Sequence, residues 1–167
     1  MRATTDTGRE ERYETPFGVG RLVLAGVLPL EHDIPDPRLA RSGEEPGAWG
    51  DLLQRYFAGE PVTFPLDVDA YAAAIGATAF ETAVLRALHA VPYGEVLSYR
   101  DLAVRAGHPN AYRAVGSVMA GNRLPVILPC HRVIRNDGTL GNYGDDPAWK
   151  RRLLELEGAD LASGRSA

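Results

Sequence analysis

The sequence predicts an α+β fold, with a small N-terminal sheet domain followed by a C-terminal domain built on a winged helix-turn-helix-like arrangement. Three observations carry that reading. A glycine-punctuated run of branched residues from Thr15 to Val27 reads as a turn and a strand. Two short helical segments flank the tight turn Gly107-His108-Pro109. Asn136-Asp137-Gly138, a hairpin-turn signature, comes after them and supplies the wing. The boundaries expected are 1–76 for the first domain, 77–160 for the second and 161–167 for a disordered tail.

Residues up to about Glu11 are polar and read as a frayed terminus. A hairpin follows from Tyr13, and the Pro- and Gly-rich run Pro35 to Gly47 has no consistent period, so it reads mostly as loop. Trp49, Leu52, Leu53, Tyr56 and Phe57 recur at helical spacing before Gly59, which predicts a helix over 48–58 whose aromatic stripe faces a core. Pro61 to Val68 suggests a short edge strand, since Pro is confined to edges and ends. The alanine-rich stretch Ala70 to Ala77 reads as the junction between domains. Nothing in this first half is assignable to chemistry.

Thr78 is suited to cap a helix from Ala79 to about Ala90, stopped by Pro92. Ser98 caps Tyr99 to Arg105, and Asn110 is read as the cap of a helix from Ala111 to Ala120. Pro125 to Pro129 reads as a buried extended segment delivering Cys130, with Val133-Ile134-Arg135 as a strand, the Asn136-Asp137-Gly138 turn, and a return through Tyr143. Pro147 then opens a helix running to Glu157, with Gly158 just past its end.

Composition narrows the possibilities. The 167 residues hold one cysteine and four histidines, which excludes an internal disulfide and offers no zinc-ligand spacing. No apolar run approaches the ~20 residues that span a bilayer, and the acidic N-terminus has no signal-peptide core, so a soluble cytoplasmic protein without membrane contact is expected. A net charge of −4 argues mildly against a nucleic-acid partner. Distribution softens that objection: Arg100, Arg105, Arg113, Arg123, Arg132 and Arg135 face only one acid, Asp101, between positions 100 and 135.

The chemistry is placed in Leu128-Pro129-Cys130-His131-Arg132-Val133-Ile134. The thiolate is the nucleophile of cysteine chemistry, so a working Cys130 needs a nearby base or cation, and His131 is one. The sulfur is accordingly expected to stand as an anion at the floor of a slot. A buried, inert cysteine is the plain alternative.

Upstream runs Tyr112-Arg113-Ala114-Val115-Gly116-Ser117-Val118-Met119-Ala120-Gly121-Asn122, and downstream Gly141-Asn142-Tyr143-Gly144 and Leu153-Leu154-Glu155-Leu156-Glu157-Gly158. With Gly94-Glu95-Val96-Leu97-Ser98-Tyr99 and the Pro-Cys-His-Arg-Val element, this series resembles the O6-alkylguanine-DNA alkyltransferases, over about the last half of the chain. The resemblance implies a ribonuclease H-like first domain and a protein that flips O6-alkylguanine out of double-stranded DNA. It implies irreversible transfer of the alkyl group to Cys130, by a monomer, without metal or organic cofactor. His131 and Glu157 would support the thiol, Tyr99 would donate to the base and crowd a phosphate, and Asn122 would tie the helix pair to the active-site turn. Arg113 would enter the base stack. Ala114, Gly116 and Ser117 would let the helix approach the groove, and Arg123 would add a DNA contact. Met119, Pro125, Val133, Tyr143 and Gly144 would form the substrate pocket.

Departures from the family's usual pattern are Asp145-Asp146 in place of two glycines, Arg123 in place of proline and Tyr112 in place of alanine. The alternative function is a lesion-binding relative that does not remove the alkyl group. In that branch the cysteine is replaced, and Cys130 argues against it.

Overall fold

Pro16-Phe17 and Gly26-Val27 reverse the chain twice and fold residues 9–36 into an antiparallel sheet, β1 (Arg9–Thr15), β2 (Gly18–Ala25) and β3 (Leu28–Asp36), in the order β1-β2-β3. The computed structural model describes residues 8–141, 143 and 146–161. Pairing starts at Arg9 opposite Leu24, so the region read as frayed already holds a strand. The third strand also reaches Asp36, into the stretch expected to be loop. Gly20 stands opposite Tyr13, and a β-carbon there would collide with the Tyr13 ring, so glycine is what lets that ring lie across the sheet.

Helix α1 (Ala48–Phe57) buries Leu53, Tyr56 and Phe57, with Phe57 stacked at 6.3 Å on Tyr13, as its apolar spacing predicts. The edge strand expected over 61–68 is absent. Val62, Phe64 and Leu66 alternate into the core as strand residues would, but among the described residues the segment pairs with no strand, and two of its residues, Pro61 and Pro65, have no N–H to offer. The Phe64 carbonyl is met instead by the His89 ring at 2.8 Å. The expected junction is in fact a helix, α2 (Val68–Ala74), capped by Asp67 and burying Tyr71 and Ala72.

Helix α3 (Ala79–His89) begins with a reciprocal Thr78–Glu81 capping box. The two-residue strand β4 (Leu97–Ser98) leads into α4 (Tyr99–Arg105), capped by Ser98, and α5 (Tyr112–Ala120) follows the Gly107 turn. Asn110 does not cap α5. The helix starts one residue later than expected, after Ala111, and no side chain closes its first turn.

The segment before Cys130 is buried, as expected, but turned where extension was expected. Val126 has φ 76°, the Leu128 N–H returns to the Leu124 carbonyl at 2.8 Å, and Pro125 bridges Leu128. After a single 3-10 turn, Cys130–Arg132, the strand β5 (Val133–Ile134) pairs in parallel with β4. The wing is reduced to a turn: Arg135 and Thr139 close it at 2.9 Å, and among the described residues no return strand forms. Helix α6 (Pro147–Leu156) is capped by Asp146 and ends at Glu157, with Gly158 at φ 66°. Leu161, assigned to the tail, packs on Val96, Ile134 and Leu154. One apolar cluster runs from Tyr13, Leu22 and Leu53 through Val84 and Leu102 to Val133 and Leu153, joining the two sides of the expected boundary.

Candidate active site

Cys130 is 8% exposed, and its sulfur accepts a hydrogen bond from Asn122 Nδ2 at 3.1 Å. The same amide nitrogen donates to the Leu128 carbonyl at 2.9 Å, and Asn122 Oδ1 accepts from the Leu124 N–H at 3.0 Å. One side chain at the end of α5 therefore braces the whole 124–130 turn. Burial pushes the thiol up, and the Asn122 bond, the Lys150 ammonium and the Tyr143 hydroxyl pull it back only in part. The expectation of a standing thiolate is corrected accordingly. Burial keeps the proton on sulfur, and losing it becomes a step of the reaction.

His131 follows Cys130 in sequence, but its ring makes no hydrogen bond to the sulfur. Nε2 lies 2.6 Å from Glu157 Oε2, while Nδ1 is buried without a hydrogen-bond partner among the described residues. Arg132 reaches the same carboxylate twice, Nε to Oε1 at 2.9 Å and Nη2 to Oε2 at 3.0 Å, and its Nη1 donates to the Val91 carbonyl. The Tyr56 hydroxyl donates to Glu157 Oε2 at 2.6 Å, and the Gly94 N–H to Oε1 at 3.0 Å. Burial alone would raise the Glu157 carboxyl. The hydrogen bonds from His131 and Arg132, with the Arg132 charge, outweigh it and hold the group well below the usual carboxylate range. Burial lowers the His131 imidazole. Arg132 supplies the countercharge to Glu157, so His131 rests neutral with its N–H on Nε2 and a lone pair on Nδ1.

A cavity of about 1090 Å3 opens over the sulfur. Tyr99, Met119, Asn122, Pro125 and Tyr143 line it, together with Gly116 and Arg123. Val133 does not: its side chain is fully buried in β5. Gly144 lies outside the described residues, as does Asp145, while Asp146 both lines the cavity and caps α6. Burial raises the Tyr99 phenol, as does the nearby Cys130. It raises the Tyr143 phenol well above its usual value. Both therefore stay protonated donors.

Arg113, Ala114 and Ser117 occupy the exposed face of α5. Tyr112 lies between two guanidinium groups, Arg100 at 5.0 Å and Arg113 at 5.9 Å from its ring centre. Gly116 has a negative φ, and a β-carbon there would touch none of the described residues, so their packing does not require glycine at that position.

Sequence reasoning missed Tyr56, Arg132 and Lys150. Lys150 is fully buried with its ammonium 5.7 Å from the Tyr99 ring centre, and burial lowers it to about 8 against the pull of Cys130. A signal existed for it: a lysine on the apolar side of a helix between Trp149 and Leu153 is out of place on a solvated face. Tyr56 offered none, because its spacing is that of a core residue.

Comparison with known proteins agrees with this geometry. Residues 79–159 match the family model for the 6-O-methylguanine DNA methyltransferase DNA-binding domain. A methylated-DNA–protein-cysteine methyltransferase of Mycobacterium bovis is 38% identical over 148 residues, covering 83% of this chain and 87% of that protein. The bifunctional transcriptional activator/DNA repair enzyme Ada of Escherichia coli is 46% identical over 97 residues, 58% of this chain and 25% of that protein. The crystal structure of Mycobacterium tuberculosis OGT in complex with DNA superposes with a TM-score of 0.70 at 33% identity, covering 94% of this chain and 95% of that one. With likeness running through the sheet as well as through the turn that bears Cys130, the chain belongs to the methylated-DNA–protein-cysteine methyltransferase family.

Proposed function

We propose that this protein repairs O6-alkylguanine in double-stranded DNA, once per molecule, by moving the alkyl group irreversibly onto its own Cys130. The observation that carries the reading is the Cys130 sulfur, bonded to Asn122 and open to a cavity beside α5, with the buried His131–Glu157 pair one residue along.

Displacement at a saturated carbon forms the S–C bond as the C–O6 bond breaks, and the electron pair passes to the purine. The thiol proton leaves through a bridging water to His131 Nδ1, the ring nitrogen that Glu157 leaves free. Glu157, already ionised, supports the imidazolium that results. Tyr99 donates a hydrogen bond to the base as the electron pair arrives. Met119 and Pro125 face the alkyl group, and Tyr143 walls the pocket. The thioether product is a poor leaving group, so no second turnover follows.

The base is reached by eversion, at an unstacking cost of a few kcal/mol. Residues 77–160, read as the winged helix-turn-helix-like domain, lay α5 against the duplex, Arg113 fills the vacated stack, and Arg123 contacts the backbone. Gly116 supports that placement. A helix-interior glycine costs roughly 0.5–1 kcal/mol relative to alanine, and with no contact among the described residues to explain it, it suits close approach by a partner. Residues 1–76 are read as ribonuclease H-like, and the protein as cytoplasmic. Among the described residues no helix is long and apolar enough to cross a membrane.

Incubation with duplex DNA carrying O6-methylguanine, followed by intact mass measurement, tests the reading. A gain of about 14 Da that Cys130→Ala abolishes is the expected result for a cysteine nucleophile. Unchanged mass with retained binding to the lesion would mean a non-catalytic reader instead.

A further inference from the structure

Strand β3 lays a histidine on the turn that carries Cys130. His32 is 2% exposed and both its ring nitrogens are engaged, Nδ1 at 2.6 Å from the Pro125 carbonyl oxygen and Nε2 at 2.6 Å from the Tyr13 hydroxyl. Chemistry fixes where the protons are. A carbonyl only accepts, so Nδ1 carries the hydrogen, and the Tyr13 hydroxyl donates to the lone pair on Nε2. The His32 backbone N–H also donates to the Arg123 carbonyl at 2.9 Å, so β3 grips this segment at two points.

The next residue shows what the grip restrains. Val126 has φ 76°, a region that a β-branched side chain avoids. Relaxing Val126 to negative φ would rotate the Pro125–Val126 peptide, and the oxygen of that peptide is the atom His32 holds. Downstream, the turn passes through Leu128, whose carbonyl Asn122 binds, to Cys130. His32, Pro125 and Cys130 all line the same cavity.

We infer that His32 is a positioning residue for alkyl transfer: by holding the Pro125 carbonyl it keeps the Val126 turn left-handed, and so sets the Pro125 wall of the pocket and the placement of the sulfur. The inference rests on the alkyl-transfer reading of Cys130, and it makes the N-terminal sheet part of the reaction. Tyr13 fixes His32, and His32 fixes the turn.

Single-turnover transfer from O6-methylguanine duplex DNA is measured for the wild type, His32→Ala, His32→Asn and Tyr13→Phe, with the Kd for the same duplex and the thermal stability of each. In His32→Ala the transfer rate at saturating DNA falls about tenfold or more while Kd stays within about twofold, the split expected of displaced reacting groups. His32→Asn, which keeps an N–H donor near the Nδ1 position, recovers most of the rate, and Tyr13→Phe loses only part of it. Wild-type transfer by His32→Ala at saturation, or His32→Asn as slow as His32→Ala at equal stability, overturns the inference. If His32→Ala fails to fold, Tyr13→Phe and His32→Asn carry the test alone, and unaltered transfer in Tyr13→Phe then counts against it. If the wild type gains no alkyl group, the functional reading itself fails. The grip is then read from the rate of Cys130 labelling by iodoacetamide, which changes in the His32 variants if His32 places the sulfur and is unchanged if it does not.

Discussion

The Tyr56 hydroxyl, on α1, donates at 2.6 Å to the carboxylate of Glu157, 101 positions later, at the end of α6. The carboxylate that orients His131 is therefore itself held by the half of the chain in which the sequence displays no chemistry. Glu157 gathers donors from α1, from the Gly94 turn and from the Cys130–Arg132 turn, which makes it the point where these segments meet.

Tyr56→Phe removes one donor and leaves the ring packing intact. A buried hydrogen bond to a charged group contributes about 1.5–3 kcal/mol, so urea denaturation should show a loss in that range. Transfer should slow by less than about tenfold, because Arg132 and Gly94 still hold the carboxylate in place. A variant as stable as the wild type would show that this bond adds nothing.

Glu157→Gln should be far more damaging. It strips the buried Arg132 guanidinium of its countercharge, a change that costs about 3–5 kcal/mol, and it leaves a forming imidazolium unsupported. Transfer at saturating DNA should fall by about a hundredfold or more, the scale of general acid–base assistance. Mass spectrometry of timed samples measures it.

Acid should unfold the protein through its buried histidines before its carboxylates. His32 is lowered by burial from 6.5 to about 4, and burial also lowers His131. A folded-state value below the unfolded one means that the folded protein binds fewer protons, so stability is full above about pH 6.5 and declines as pH falls towards 4. For His32 alone the loss across that window is about 3 kcal/mol. Glu157, also lowered, adds its loss only below about pH 4.5. Denaturation midpoints from pH 8 to pH 4 check the order, and His32→Asn should flatten the first part of the curve.

Lys150→Met should make the sulfur less reactive. The ammonium, present below about pH 8, is one of the groups drawing the Cys130 thiol down against burial, so its removal lowers the rate of iodoacetamide labelling at pH 7. An unchanged rate would mean that Lys150 acts on the site only through packing.

On the DNA side, Arg113→Ala should weaken duplex binding and reduce the salt slope by about one. If Arg113 fills the vacated stack, the same variant slows transfer from a duplex more than from single-stranded DNA. Tyr112→Ala, which removes the ring beside which Arg113 lies, should reproduce part of that duplex-specific loss with little change in salt slope.

Local patterns made much of this legible. Thr78 and Ser98 announce their helices because a cap needs only its next three residues, and the Pro-Cys-His-Arg-Val element together with the segments around it carries the resemblance that points to Cys130. What failed were readings that depend on partners. Val62, Phe64 and Leu66 have the burial rhythm of a strand, but nothing local says whether a neighbouring strand exists to pair with them. The Val126 turn contains no glycine to betray its positive φ, since His32, far away in sequence, holds it. Tyr56 is revealed only by the distant charge it faces. Adjacency misled as well: Cys130 and His131 are neighbours in sequence, but the His131 ring is bonded to Glu157 and not to the sulfur.

A ribosome completes Cys130 and His131 well before it reaches Glu157. Until α6 is made and docked, the imidazole lacks its carboxylate and the thiol is an ordinary one. Folding then pushes the thiol up by burial, so the finished protein guards its one sulfur against stray electrophiles better than the emerging chain does.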